Sequence, residues 1–247
     1  MRLTLCYDGT DFLGWQVQPQ GRTVQGEVER ALETIHGEQC RITGSGRTDT
    51  GVHAAGQVAS FQTSRTDFPV DRYSDALNAN LPRDVRVLDA RPVPEQFNAR
   101  FSALRRVYRY RWALPGAIDP RAYRYKGLLR RQPSIRRLNE LACVLTGTHD
   151  FSTFTLPSES SPSRVRTIEQ LAFFPLAGDL VMQIAANAFL WRMVRLVAGT
   201  LLQAEERGES CAALRGRVAA GTHDQAGPPV DARGLTLERV IYGEDGA

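Results

Sequence analysis

Between Gly44 and Phe61 the chain reads GSGRTDTGVHAAGQVASF, and no other stretch restricts its possible folds as much. Three glycines, Gly44, Gly46 and Gly51, fall within eight residues. They let the backbone take positive φ and approach a neighbour with no Cβ in the way. Behind them Val58, Ser60 and Gln62 alternate with Ala59, Phe61 and Thr63, a period of two that predicts a strand. Arg47 and Asp49, a fixed cation and a carboxylate, therefore sit on a tight loop at the end of a rigid element, where site residues are often found. From spacing alone the stretch also reads as a plain turn, with Asp49 bonding its own backbone and Arg47 solvated. The loop lacks the Gly-Lys-Ser/Thr ending of a P-loop and the G-x-G-x-x-G of a dinucleotide site.

The 247 residues, 42% of them hydrophobic, suffice for one large domain or two small ones. No apolar run approaches the roughly 18 residues of a membrane span, and MRLTLCYDGT has no leader-like apolar region, so a cytoplasmic protein is expected. The four cysteines, Cys6, Cys40, Cys143 and Cys211, form no C-x-x-C pair, and the four histidines form no H-x-x-x-H pattern. No metal site is expected, and Cys6 and Cys143 read as small core residues.

The net charge of +4 hides an asymmetry. Twelve of the 31 basic residues lie between Arg100 and Arg137, against one acid, Asp119, which leaves the rest of the chain acidic. Such a zone points to a polyanion, most simply nucleic acid, with a solvated charged face as the plainer reading.

In chain order, Arg2 to Tyr7 alternates as a strand and Asp8-Gly9 marks a turn. The loop from Thr10 to Gly21 carries Phe12 and Trp15, which either cap the core or stack on bases. Thr23 caps a helix with Val24, Val28, Leu32 and Ile35 on one face, and Gly37 closes it. A strand is expected at about Gln39 to Thr43, a helix at Asp71 to Asn80 and a strand at Asp84 to Val93. The first 95 or so residues thus run β-α-β-β-α-β, the ferredoxin-like order.

A linking segment, Phe97 to Arg106, leads into Val107 to Leu114, where Tyr108, Tyr110 and Trp112 alternate with Arg109, Arg111 and Ala113. Tyr110 and Trp112 are read as core-facing. Then come a helix from Ser134, strands at Arg164 to Phe174 and Leu180 to Ala186, an apolar helix at Phe189 to Leu202, a short helix at Ser210 to Ala219 and a strand at Leu235 to Tyr242. Arg195 interrupts the apolar helix. A guanidinium there must either reach outward or meet an acid, because an unpaired buried charge costs several kcal/mol.

Six segments in order resemble the bacterial tRNA pseudouridine synthase A family: YDGTDFLGWQVQPQGRTVQG, SGRTDTGVHAAGQVASF, FNARFSALRRVYRYRW, GTHDFSTF, ANAFLWRMVRLVAGTLL and GLTLERVIY. The resemblance spans nearly the whole chain. It implies an α+β protein of two ferredoxin-like halves, divided as 1–96 and 97–247, whose mainly antiparallel sheet borders a central RNA-binding cleft. It also implies a homodimer acting on tRNA without metal or organic cofactor.

The implied reaction is isomerisation of uridine to pseudouridine at positions 38, 39 and 40 of the anticodon stem-loop. By resemblance Asp49 opens the reaction, as a nucleophile or by removing a ribose proton. Arg195 is its cationic partner, and Tyr108 stacks on the target base and can help remove the C5 proton. Arg47 takes the place of the flipped base. Phe97, Asn98, Ala99, Arg100 and Phe101 hold RNA, Leu235 packs beside the base, and His53 is structural. The competing reading is a non-catalytic RNA-binding module; a carboxylate aimed at RNA argues against it, since it weakens phosphate binding unless chemistry needs it. A synthase of the same fold acting on a different RNA is a second competitor. A glycosidase would need a second carboxylate across the bond, and only one candidate is seen.

Overall fold

The computed structural model describes residues 1–63, 65, 67–116 and 119–243. In chain order the main elements are β1 (Arg2–Tyr7), α1 (Val24–His36), β2 (Thr43–Gly44), β3 (His53–Ser60), α2 (Tyr73–Asn80), β4 (Val85–Arg91) and β5 (Ala103–Ala113). They continue with β6 (Gly127–Leu128), α3 (Ile135–Ala142), β7 (Gly147–Asp150), β8 (Val165–Leu176), β9 (Asp179–Ala186), α4 (Met193–Glu206), α5 (Cys211–Ala219) and β10 (Leu235–Tyr242). The protein is α+β, and its strand pairs are mostly antiparallel.

By packing, the chain forms two compact units, residues 1–106 with 236–247, and residues 107–235. The first unit thus runs ten residues past the expected division at 96/97, and it also takes in most of β10. Hydrogen bonds explain the extension: the Ala99 amide donates to Ser60 Oγ at 3.1 Å, and Tyr242 Oη donates to the Ala99 carbonyl at 2.7 Å.

In the first unit β1 lies between β4 and β3, antiparallel to both, and β2 pairs antiparallel with the far end of β3. This is the strand order of a ferredoxin-like sheet. The other edge position beside β3 is shared, because Thr236 and Leu237 of β10 pair in parallel with His53 and Ala54. α1 forms where its caps predict: Thr23 Oγ1 accepts from the Gly26 amide, and Gly37 closes the helix at φ 75°. The strand expected at Gln39 to Thr43 shrinks to Thr43–Gly44 because the Ile42 amide bonds the buried Glu29 carboxylate at 3.0 Å instead of a neighbouring strand.

In the second unit β9 lies between β5 and β8, and β7 extends the sheet beyond β8. Setting the short β6 and β7 aside, the succession β5-α3-β8-β9-α4-β10 repeats the β-α-β-β-α-β order of the first half. Tyr110 and Trp112 of β5 are buried, as their alternation predicts, with ring centroids 4.1 Å apart. α4 begins at Met193 rather than Phe189, because Arg192 sits at φ 60°, outside helical space. Cys143, expected in the core, is exposed just past α3, whereas Cys40 is buried and burial pushes its thiol up to about 11. All four cysteines are free thiols, and no helix among the described residues is long and apolar enough to cross a membrane.

Candidate active site

The loop carrying Asp49 is built against the loop that follows β1, and glycines make the fit. A Cβ on Gly9 would lie 2.0 Å from the Val52 carbonyl oxygen, and one on Gly14 would lie 2.6 Å from the Thr48 carbonyl oxygen. Gly14 also stands at φ 90°. The two backbones therefore touch directly, and the Trp15 amide seals the contact by donating to the Thr48 carbonyl at 3.0 Å. A Cβ on Gly44 would lie 2.5 Å from the Trp15 indole, so this glycine makes room for a ring. Phe12 and Trp15 are both buried, which resolves their double reading in favour of the core.

Beneath the loop lies a buried polar cluster. Tyr7 Oη and Thr48 Oγ1 are 2.8 Å apart, and Gln57, fully buried, donates to the Gly46 carbonyl at 2.8 Å. Burial pushes the Tyr7 phenol up to about 12, so it stays a neutral hydrogen-bonding group. The loop closes on itself at the Val52 amide, which donates to the Asp49 carbonyl at 3.1 Å, with Gly51 at φ 78°. Asp49 is left half-buried and Arg47 exposed. His53 is buried, its Nδ1 accepting the Gly9 amide at 3.0 Å with Asp8 Oδ1 3.1 Å away, which makes it a brace between the two loops.

Residues 97–106 are tied to the same platform. Arg106 Nη2 donates to the Ser45 carbonyl at 3.0 Å and the Arg100 carbonyl at 2.5 Å. Asn98 Oδ1 accepts from the Arg100 and Phe101 amides at 2.9 and 3.2 Å, fixing a turn. Ala99 is fully buried, and Phe97 packs on Tyr242 at 5.0 Å. Arg100 and Phe101 point outward, and Phe101 is 78% exposed with the Arg100 guanidinium 5.5 Å from its ring.

In the second unit Tyr108 is buried, its ring edge-to-face with Phe189 at 5.2 Å and 90°. Arg195 is half-buried on the first turn of α4, where its Nε donates to the Val230 carbonyl at 2.8 Å. Leu235 is buried.

Much of the positive charge counted in the sequence is met inside the protein. Arg111 and Lys126, the chain's single lysine, both reach the buried Asp179, at 2.7 and 2.8 Å. Arg131 pairs with Glu205, Arg136 and Arg137 with Glu140, and Arg121 with Asp119. Glu140 and Asp119 are local partners, but a linear count could not foresee Asp179 and Glu205, which lie 53 to 74 residues from the cations they meet. Among the described residues no group of three or more His, Cys, Asp or Glu is placed to hold a metal ion.

A half-buried carboxylate, Asp49, on a backbone-packed loop of an α+β protein suits acid–base or nucleophilic work. Sequence comparison agrees with that class: a tRNA pseudouridine synthase family matches residues 5–102 and 141–243, and the chain belongs to it. It is 43% identical over 238 residues to the tRNA pseudouridine synthase A of Halalkalibacterium halodurans, covering 96% of this chain and 90% of that one. It is 41% identical over 248 residues to the protein of the same name from Treponema denticola, covering 98% and 92%. Among solved structures, a chain from a Cbf5-Nop10-Gar1 complex overlaps with a TM-score of 0.43 at 12% identity, covering 96% of this chain and about half (48%) of that one.

Proposed function

We propose that this protein isomerises uridine to pseudouridine in tRNA, at positions 38, 39 and 40 of the anticodon stem-loop. The observation that carries the reading is Asp49, a half-buried carboxylate held on a glycine-packed loop inside a stretch matched by the family. The uracil must leave C1′ through N1, turn while bound and rejoin through C5. Asp49 starts this, either by covalent attack or by taking a ribose proton.

Arg195 is the proposed cationic partner of Asp49, and Tyr108 the proposed ring that stacks on the target base and assists loss of the C5 proton. A stem uridine must be flipped out, at a cost of a few kcal/mol, and Arg47, exposed, would fill the space it leaves. Arg100 and Phe101 would meet the RNA directly, on a turn shaped by Phe97, Asn98 and Ala99. Leu235 would support the base as an apolar wall. The working form is taken to be a homodimer in the cytoplasm, where tRNA is found.

The test uses purified protein and tRNA labelled with tritium at C5 of uridine. Release of label, with pseudouridine mapped to those three positions, is the expected outcome. Tight tRNA binding without release would favour the non-catalytic RNA-binding reading.

A further inference from the structure

Trp191 is the only one of the three tryptophans that solvent reaches: it is 45% exposed, whereas Trp15 and Trp112 are each at 2%. The backbone beneath it is nevertheless pinned on both sides. The Trp191 amide donates to Glu159 Oε2 at 2.7 Å, and its carbonyl accepts from Thr155 Oγ1 at 3.2 Å. The next residue, Arg192, holds φ 60°, a conformation costing a side-chain-bearing residue about 1–2 kcal/mol, and its guanidinium lies 5.4 Å from the indole centroid. Two residues back, Phe189 packs edge-to-face against Tyr108.

We infer that Trp191, with Arg192 beside it, is a stacking platform for an RNA base other than the uridine being isomerised. The inference rests on the function proposed above. The backbone that carries the indole is already held in place, so less of the chain has to be ordered when a base settles on the ring. The neighbouring guanidinium adds a cation for the adjoining phosphate or a second stacked face. Stacking does not read base identity, which suits an enzyme that must accept three successive positions with differing neighbours. A base held here would steady the loop while the target is flipped.

The experiment compares wild type, Trp191→Ala and Trp191→Phe with tritiated tRNA, and follows tryptophan emission on adding an unlabelled anticodon stem-loop. Stacking of one base is worth about five- to hundredfold in affinity. Trp191→Ala should therefore raise KM by about that factor, with kcat within about threefold, while Trp191→Phe stays within about threefold of wild type. The red-edge emission of wild type, which the exposed indole supplies, should be quenched by the stem-loop and be missing from both variants. Unchanged KM in Trp191→Ala, or no quenching, would overturn the inference while leaving the enzyme reading intact. A raised KM accompanied by loss of a dimer would also overturn it, assigning the indole to contact between copies. Quenching needs no turnover, so failure of wild type to release tritium would count against the proposed function alone.

Discussion

Two corners of this protein hold their side chains by different physics. The Asp49 loop is fixed chiefly by exclusion: Gly9 and Gly14 let backbone touch backbone, Tyr7, Thr48 and Gln57 below it are neutral, and His53 with Asp8 adds a polar brace. The Trp191 corner is fixed by attraction and strain: a carboxylate binds an amide, a hydroxyl binds a carbonyl, and an arginine sits in left-handed space. Exclusion has no pH dependence and fails abruptly when volume is added. A charged hydrogen bond depends on protonation and weakens by degrees.

The sharpest way to break this contrast is to add one methyl group to the Asp49 loop. Gly14→Ala combines an unfavourable φ with a contact 2.6 Å from a carbonyl oxygen of the neighbouring backbone. It should cost about 3 kcal/mol or more, lowering Tm by roughly 6–12 °C. Gly46→Ala is the control from the same motif, since a Cβ there meets nothing within 4 Å; its Tm should move by less than about 2 °C. Equal effects from the two would end the steric account.

A smaller effect is expected in the Trp191 corner. Burial raises the pKa of Glu159, but the amides of Trp191, Ser161 and Ser160 and the Ser161 hydroxyl together outweigh it and hold the carboxyl below its ordinary value. The stability it lends is fully present above the unfolded glutamate pKa and is lost as pH falls through the lowered folded value. Glu159→Gln should cost about 1–2 kcal/mol at neutral pH, discounted for partial exposure, with the gap from wild type closing below about pH 4 in denaturant titrations. The Gly14→Ala deficit should stay constant over the same range, and a deficit that varied with pH would blur the distinction. The smallest change is Arg192→Gly, which removes the left-handed strain and should raise Tm by about 1–2 °C. A fall in Tm would mean that the guanidinium contact to Trp191 outweighs the strain.

How much of this could be read in the sequence follows from the range of the forces involved. β10 forms at Leu235–Tyr242, the span its alternation predicts, and α1 ends at its predicted caps, because both signals are local. The glycine loop was legible as a loop and Asp49 as its charged group. The reason for Gly9 and Gly14 was not, since it depends on which carbonyl lies opposite, 43 and 34 residues away. β7, Gly147–Asp150, was not foreseen, because the four residues GTHD carry no strand pattern by themselves. Cys143 looked buried beside an apolar helix stripe and falls on its open side. Trp191 read as part of an apolar helix until the backbone turned at Arg192. The roles proposed for Tyr108 and Arg195 come from family resemblance alone, since periodicity could place them on elements but not endow them with chemistry.

The central claim, that one carboxylate performs the chemistry while the surrounding surface binds the RNA, is tested most directly by Asp49→Asn. Measured side by side, tRNA affinity should stay within about tenfold of wild type, or about 1.4 kcal/mol, while tritium release from C5 of uridine disappears. Release at the wild-type rate from the variant would contradict the account and remove Asp49 from the mechanism.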